Sequence, residues 1–407
     1  AARQTLWQIL PLGGIGPGNS PYMSSSAFAG NLLLIDLTEL QQRGWLREAD
    51  LLPDTGFNDD RIQFNAVVPW RMARLQQAAA RFAQSISAAD QVDFADFCLH
   101  HAGWLEDYAR FVTLYEINNG RDWSDWPAPL AGRDAAALQQ VCAEHATRIS
   151  FWKFGQWCFY RQWKNLRAYA NERGIKIVGD APIFIALQSA EVWARQELFE
   201  LDELGRTRVV AGVPPDFFSA TGQRWGNPLY RWSAHAAEGY AWWIERVRRI
   251  FELVDIVRID HFRGFAGYWE IPASEPNAIR GRWLPGPGTA LFEAIEAALG
   301  ELPIIAEDLG IITPDVDALR HAFSLPGMRI LQFAFSEDGD NTSAYLPHNF
   351  ERNTVVYTGT HDNTTTQGWW QESTSALRQQ VLDYLGAEND HDIHWQLIRA
   401  ASASVAD

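Results

Sequence analysis

Three short hydrophobic runs in this chain each end on a carboxylate: Val254 to Asp260 (VDIVRID), Pro303 to Glu307 (PIIAE) and Thr354 to Asp362 (TVVYTGTHD). Their Val and Ile content predicts buried strands, each delivering an acid at its carboxyl end. In a barrel of parallel strands those ends open on one common face, where residues far apart in sequence meet. Three acids gathered there imply glycoside chemistry, in which one carboxylate attacks and another moves a proton.

The rest of the chain supports such a sheet. A helix is expected from Phe151 to Arg173, and Gly174 stands where a left-handed cap would end it. From there strand and helix patterns alternate, with strands predicted at 175–179, 254–259, 303–306, 328–333 and 354–357, and crossover helices such as 288–299. Alternation of this kind predicts an α/β fold with a parallel sheet. Leu6 to Pro11 adds a sixth strand, where a complete barrel has eight. Residues 12–31 form a Gly-rich and Ser-rich loop, long enough to be functional. Residues 51–149 turn to helical spacing (Met72, Leu75, Ala79, Phe82; Trp104, Tyr108, Phe111, Tyr115) and predict a helical insertion. Residues 186–240 are expected to be a loop-rich lid.

Composition narrows the partners. With 407 residues, 47% hydrophobic, the chain can bury a large core. A formal net charge of -16 argues against nucleic acid or an anionic membrane, which call for a basic face. The start of the sequence lacks the basic-then-apolar layout of a signal peptide, and no apolar run is of spanning length, so a cytoplasmic location is expected. Cys98, Cys142 and Cys158 predict buried thiols rather than disulfides. Adjacent His100 and His101 are expected to point apart on a helix, so no metal site is predicted. Residues 12–20 match neither a phosphate loop nor a dinucleotide fingerprint.

The acids differ in their surroundings. Residues two apart on a strand face the same way, so Arg258 should lie beside Asp260 and hold it ionised, as a nucleophile requires. Glu307 follows an apolar strand and lies near another anion, which keeps a carboxyl protonated to higher pH and suits an acid/base. Asp362, next to His361 in a polar THDN turn, suits stabilisation of positive charge at the sugar ring. The segment Val213 to Trp232 offers Phe217, Phe218 and Trp225 for stacking on glucose rings, and Asp216, Gln223 and Asn227 for reading hydroxyls.

The motifs SPYMSSSAFAGN, GDAPIF, PPDFFSATGQRWGNP, VRIDHFRG, IIAEDLG and TGTHDN, in that order, resemble those of the amylomaltases, 4-alpha-glucanotransferases related to the alpha-amylases. The resemblance implies a TIM (β/α)8-type barrel with helical insertions, in which Asp260, Glu307 and Asp362 are nucleophile, acid/base and stabiliser. It places substrate contacts at Tyr22, Asp180, Phe217, Phe218, Trp225, Arg258 and His361. It implies alpha-1,4-glucan and maltooligosaccharide substrates, glucanosyl transfer to a 4-hydroxyl, and no metal or organic cofactor. Segments that carry the family's first and last barrel strands are not found in the sequence, so residues 1–407 are expected to form one catalytic barrel truncated at both ends. An amylase-like hydrolase, a non-catalytic glucan-binding protein and an inactive fragment stay open as alternatives.

Overall fold

The computed structural model describes residues 4–53, 56–216, 219–310, 312–337 and 340–407. Ten strands occur among them: β1 (Leu6–Gln8), β2 (Lys176–Pro182), β3 (Val209–Val213), β4 (Gln223–Pro228), β5 (Ile256–Asp260), β6 (Gly267–Pro272), β7 (Arg282–Pro285), β8 (Ile304–Ala306), β9 (Gly327–Ile330) and β10 (Thr354–Tyr357). A parallel ladder runs β1-β2-β5-β8, and β9 and β10 form a second parallel pair. Ala306 N–H donates to the Pro326 carbonyl (2.9 Å), and the buried Asp308 carboxylate accepts the Met328 N–H (2.6 Å), which joins β8 to β9. All six parallel strands overlap the runs anticipated from sequence. Two bounds moved. β2 extends to Pro182 and takes in Asp180, whereas β9 stops at Ile330 because Leu331–Phe333 turns as a 3-10 helix to bury Leu331 in the core of the C-terminal helices.

Period-2 alternation divides these strands between two cores. Ile177, Ala181, Val257, Ile259, Ile304 and Ala306 pack outward with Phe159 and Trp163 of the helix Ala146–Glu172 and with Trp243 and Val247 of the helix Ala241–Leu253. On the other face Val178, Ile305 and Met328 form an apolar floor with Ile256, Val355 and Tyr357. Each Ile, Val or Met side chain among them that is fully buried contributes about 1.5–3 kcal/mol. The register that results sets Asp180 opposite Arg258 and Pro182 opposite Asp260, one step above that floor.

The helical block is present as Phe64–Ser85, Ala88–His100, Ala102–Ile117 and Ala135–Glu144. Leu75, Phe82, Trp104, Tyr108 and Phe111 are buried, whereas Tyr115 is exposed. The long helix begins earlier than expected, at Ala146, and Gly174 follows its end at φ +72°, as the cap requires.

Three expectations need correction. The segment 213–232 is not all loop: β4 lies inside it, within an antiparallel sheet β4-β3-β6-β7. Its glycines mislead because Gly222 and Gly226, at φ +65° and +83°, turn and bend a strand rather than end one. His100 and His101 do not point apart. The helix ends at His100, His101 leaves it at φ -100°, ψ 9°, and the two ring centroids lie 4.8 Å apart near Glu252. Arg249 nevertheless sits among them, with Nη1 3.0 Å from His101 Nδ1 and 2.8 Å from Glu252 Oε1, where a bound cation would have to be. All three cysteines are free, but only Cys158 is buried, with Cys98 and Cys142 half-buried. Among the described residues no helix is long and apolar enough to cross a membrane.

Candidate active site

The carboxyl ends of β2, β5 and β8 bring Asp180, Arg258, Asp260 and Glu307 together. Arg258, its side chain 2% exposed, pairs through Nη1 with Asp180 Oδ1 (2.7 Å) and through Nη2 with Asp260 Oδ1 (2.9 Å), while its Nε donates to Met328 Sδ (3.3 Å). Burial alone would lower the guanidinium pKa; Asp180, Asp260 and Glu307 more than reverse this and raise it. Burial also pushes the Asp260 carboxyl up, with Arg258 opposing and Asp180 and Asp362 reinforcing the rise. Asp260 is still 31% exposed, so the face turned from Arg258 is open to an incoming molecule.

Glu307 is held differently. Its Oε2 accepts the His261 N–H (2.7 Å) and its Oε1 the Leu309 N–H (2.9 Å). Burial and then the charge of Asp260 push this carboxyl up to about 7, against the pull of Arg258 and the two N–H donors. An acid poised there can lose and regain a proton near neutrality.

A second set of groups comes from the loops after β1 and β10. The Tyr22 hydroxyl lies 2.6 Å from Asp180 Oδ2 and 2.7 Å from His361 Nε2, and the two rings stack at 5.8 Å. Burial, aided by Asp180, raises the phenol pKa. Asp362 is on the same face, close enough for its charge to act on Asp260, but 67% exposed, with His361 Nε2 at 3.5 Å from its Oδ1.

The lid residues divide. Trp225 on β4 leans over the mouth, edge-on to His261 (4.8 Å) and against Phe184 (6.3 Å), and its Nε1 donates to the exposed Gln223 (3.1 Å). Asp216 Oδ1 accepts the Ser219 N–H (2.8 Å). Phe217 and Phe218 lie outside the described residues. Asn227 departs from the expectation of a hydroxyl reader. It is 6% exposed and its amide donates to the Ile185 carbonyl (3.0 Å), tying β4 to the segment after β2.

Sequence reasoning missed three participants. His261 was passed over as the residue after an acid, although a histidine tolerates the left-handed backbone it adopts at φ +55°. Tyr357 faces inward by the same alternation that places Val355, donates to Gln8 Oε1 (2.7 Å), and has its hydroxyl pushed up to about 12 by burial. Asp308 binds β9 through Met328 and Arg329, a long-range link that sequence does not display.

Acids at the carboxyl ends of adjacent parallel strands, with a buried arginine between them, occupy the face on which barrel enzymes carry their active sites. The 4-alpha-glucanotransferase family pattern matches residues 1–407, and the chain belongs to that family. The 4-alpha-glucanotransferase of Thermus thermophilus is 48% identical over 98% of this chain and 80% of its own length. That of Synechocystis sp. is 48% identical over 100% of this chain and 80% of its own. Among solved structures, the amylomaltase from Streptococcus agalactiae in complex with acarbose superposes with a TM-score of 0.95 at 36% identity, covering 99% of this chain and 81% of that one. The fold is accordingly the TIM-barrel type, and the protein is an enzyme of the transferase class.

Proposed function

We propose that the chain transfers glucanosyl units between alpha-1,4-glucans by a retaining, two-step mechanism. An Asp260 oxygen attacks the anomeric carbon as the glycosidic C–O bond breaks, and the leaving oxygen takes its electron pair and the Glu307 proton. The 4-hydroxyl of an acceptor glucan then attacks the same carbon, gives its proton to Glu307, and the bond to Asp260 breaks. Asp362 stabilises the positive charge at the ring in both steps, while Tyr22, Asp180, Arg258, His361, Asp216, Gln223, Trp225, Phe217 and Phe218 hold or flank the sugars, and Asn227 braces the strand that carries Trp225. Residues 1–407 act as one catalytic barrel, with 51–149 a helical insertion and 186–240 a lid that includes two strands. The reading rests above all on Asp260 being paired with Arg258 at 2.9 Å beside a Glu307 carboxyl raised to about 7: burial raises both acids, but of the two Asp260 is the one with a guanidinium in contact to favour its charged form.

The test is incubation with maltotriose. Glucose together with a ladder of longer maltooligosaccharides is expected, and Asp260→Asn should lower turnover by about a thousandfold or more. Release of shorter sugars alone would make the enzyme a hydrolase, and undiminished turnover by Asp260→Asn would remove Asp260 from the mechanism.

A further inference from the structure

Past β2 the chain starts a short helix, Ala190–Ala194, whose first residues grip the loop that carries Tyr22. Three successive loop residues are held there. Ala190 N–H donates to the Ser25 carbonyl (2.9 Å), Ser26 O–H to Glu191 Oε1 (2.5 Å), and Ala27 N–H to Glu191 Oε2 (3.0 Å). Ser26 and Glu191 are 2% and 5% exposed, so water competes little for these bonds. The loop is fastened again further on, where Gln156 bonds both the N–H and the carbonyl of Gly30 and the Tyr160 hydroxyl donates to the Phe28 carbonyl. Of these anchors, Glu191 holds the residues nearest to Tyr22 along the chain.

The anchor is built for a carboxylate. Ser26 Oγ already accepts the Phe28 and Ala29 N–H groups (3.1 and 3.0 Å), so both its lone pairs are engaged and its one hydrogen goes to Glu191. Both Glu191 oxygens therefore accept, and an amide in its place would turn an NH2 toward one of two donors. Burial pushes the Glu191 carboxyl up to about 7, while Ser26, the Ala27 and Glu191 N–H groups and Arg246 pull it down. Tyr108, Tyr160 and Tyr230 also lie close enough to feel its charge.

The gripped segment and the rest of the loop are closely packed. Gly16 lies so near the Met23 carbonyl that a Cβ has no room, and a Cβ at Gly13 would come within 2.8 Å of Ser24 Oγ. A shift at Ser26 and Ala27 is therefore passed to Tyr22, whose hydroxyl meets Asp180 Oδ2 and His361 Nε2.

We infer that Glu191 is a positioning residue for glucanosyl transfer: by gripping Ser26 and Ala27 it keeps the Tyr22 hydroxyl on Asp180 and His361, although it is too deeply buried to touch a sugar itself. This rests on the reading of Tyr22 as part of the substrate site.

The experiment is a double-mutant cycle on kcat/KM for maltotriose disproportionation. Wild type, Glu191→Gln, Tyr22→Phe and the double variant are assayed at about pH 8, where Glu191 is ionised. Each single substitution should lower kcat/KM about tenfold, and the double variant should fall no more than about twofold below the poorer single one, because Glu191 acts through the hydroxyl that Tyr22→Phe removes. Losses that multiply to about a hundredfold would make Glu191 a general support of the fold, and undiminished kcat/KM in Glu191→Gln would remove it from the reaction; either overturns the inference. If Glu191→Gln fails to fold, Ser26→Ala breaks the same anchor from the loop side, and the same outcomes decide. Undiminished kcat/KM in Tyr22→Phe would instead overturn the reading of Tyr22, and the inference with it.

Discussion

The two sides of the parallel sheet hold their acids in opposite ways. At the ends of β5 and β8, Asp260 and Glu307 have partners fixed by the strands themselves: a 2%-exposed guanidinium for one, two backbone N–H groups for the other. Beyond β10, Asp362 stands 67% exposed with a histidine at 3.5 Å. Groups that form bonds or move protons need fixed geometry and a dry setting, which regular strands supply. A group that acts by charge alone tolerates a looser perch. On the proposed mechanism, the contrast separates residues whose loss damages both fold and chemistry from those whose loss damages chemistry only.

The largest expected effect is at Arg258. Arg258→Leu leaves Asp180 and Asp260 without their shared cation, and breaking a buried pair costs about 3–5 kcal/mol. Urea unfolding should show that loss together with abolished turnover; a stability within about 0.5 kcal/mol of wild type would remove the distinction between the two sides. Asp362→Asn should do the reverse, lowering turnover about a hundredfold while leaving the unfolding midpoint unchanged. If the protein melts earlier instead, Asp362 is part of the framework and the contrast is wrong.

A smaller effect follows from buried imidazoles away from the open side. Burial lowers the pKa of His235 to about 4 and that of His101 to about 3, the latter with help from Arg249. Unfolded histidines titrate near about 6.5, so below that pH the unfolded chain binds more protons than the folded one. Stability is therefore full above that pH, falls as pH drops toward the folded values, and levels off beneath them. For His235, fully buried, the loss between about pH 7 and pH 5.5 should be about 1 kcal/mol. Melting curves across that interval check it, and His235→Phe should flatten the slope.

The strands were legible because Val and Ile runs declare a buried sheet, and Arg258 beside Asp260 followed from the two-residue repeat alone. What sequence hid is as specific. β4 was concealed because Gly222, Gly226 and Pro228 look like loop punctuation, and only pairing with β3 makes them a strand. Asn227 looked like a ligand contact because an amide's partner is decided by which backbone carbonyl folds over it. His261 is hidden because a backbone N–H belongs to every residue, and where it points depends on the peptide plane after Asp260, which no side chain announces. Asp362 was expected to crowd the other acids, but how far a loop carboxylate stands in water depends on what covers it.

The Tyr22 hydroxyl touches both Asp180 and His361, yet an O–H has one hydrogen to give. Asp180, bound to Arg258, can only accept, so the hydrogen goes there and His361 must supply the other from Nε2. The imidazole is thereby fixed with Nε2 as a donor, and its orientation is dictated from the opposite margin of the sheet. A guest that captures the phenol's hydrogen displaces Asp180 alone, because the oxygen can still accept from the histidine, so the clasp between the two margins opens on the Asp180 side first.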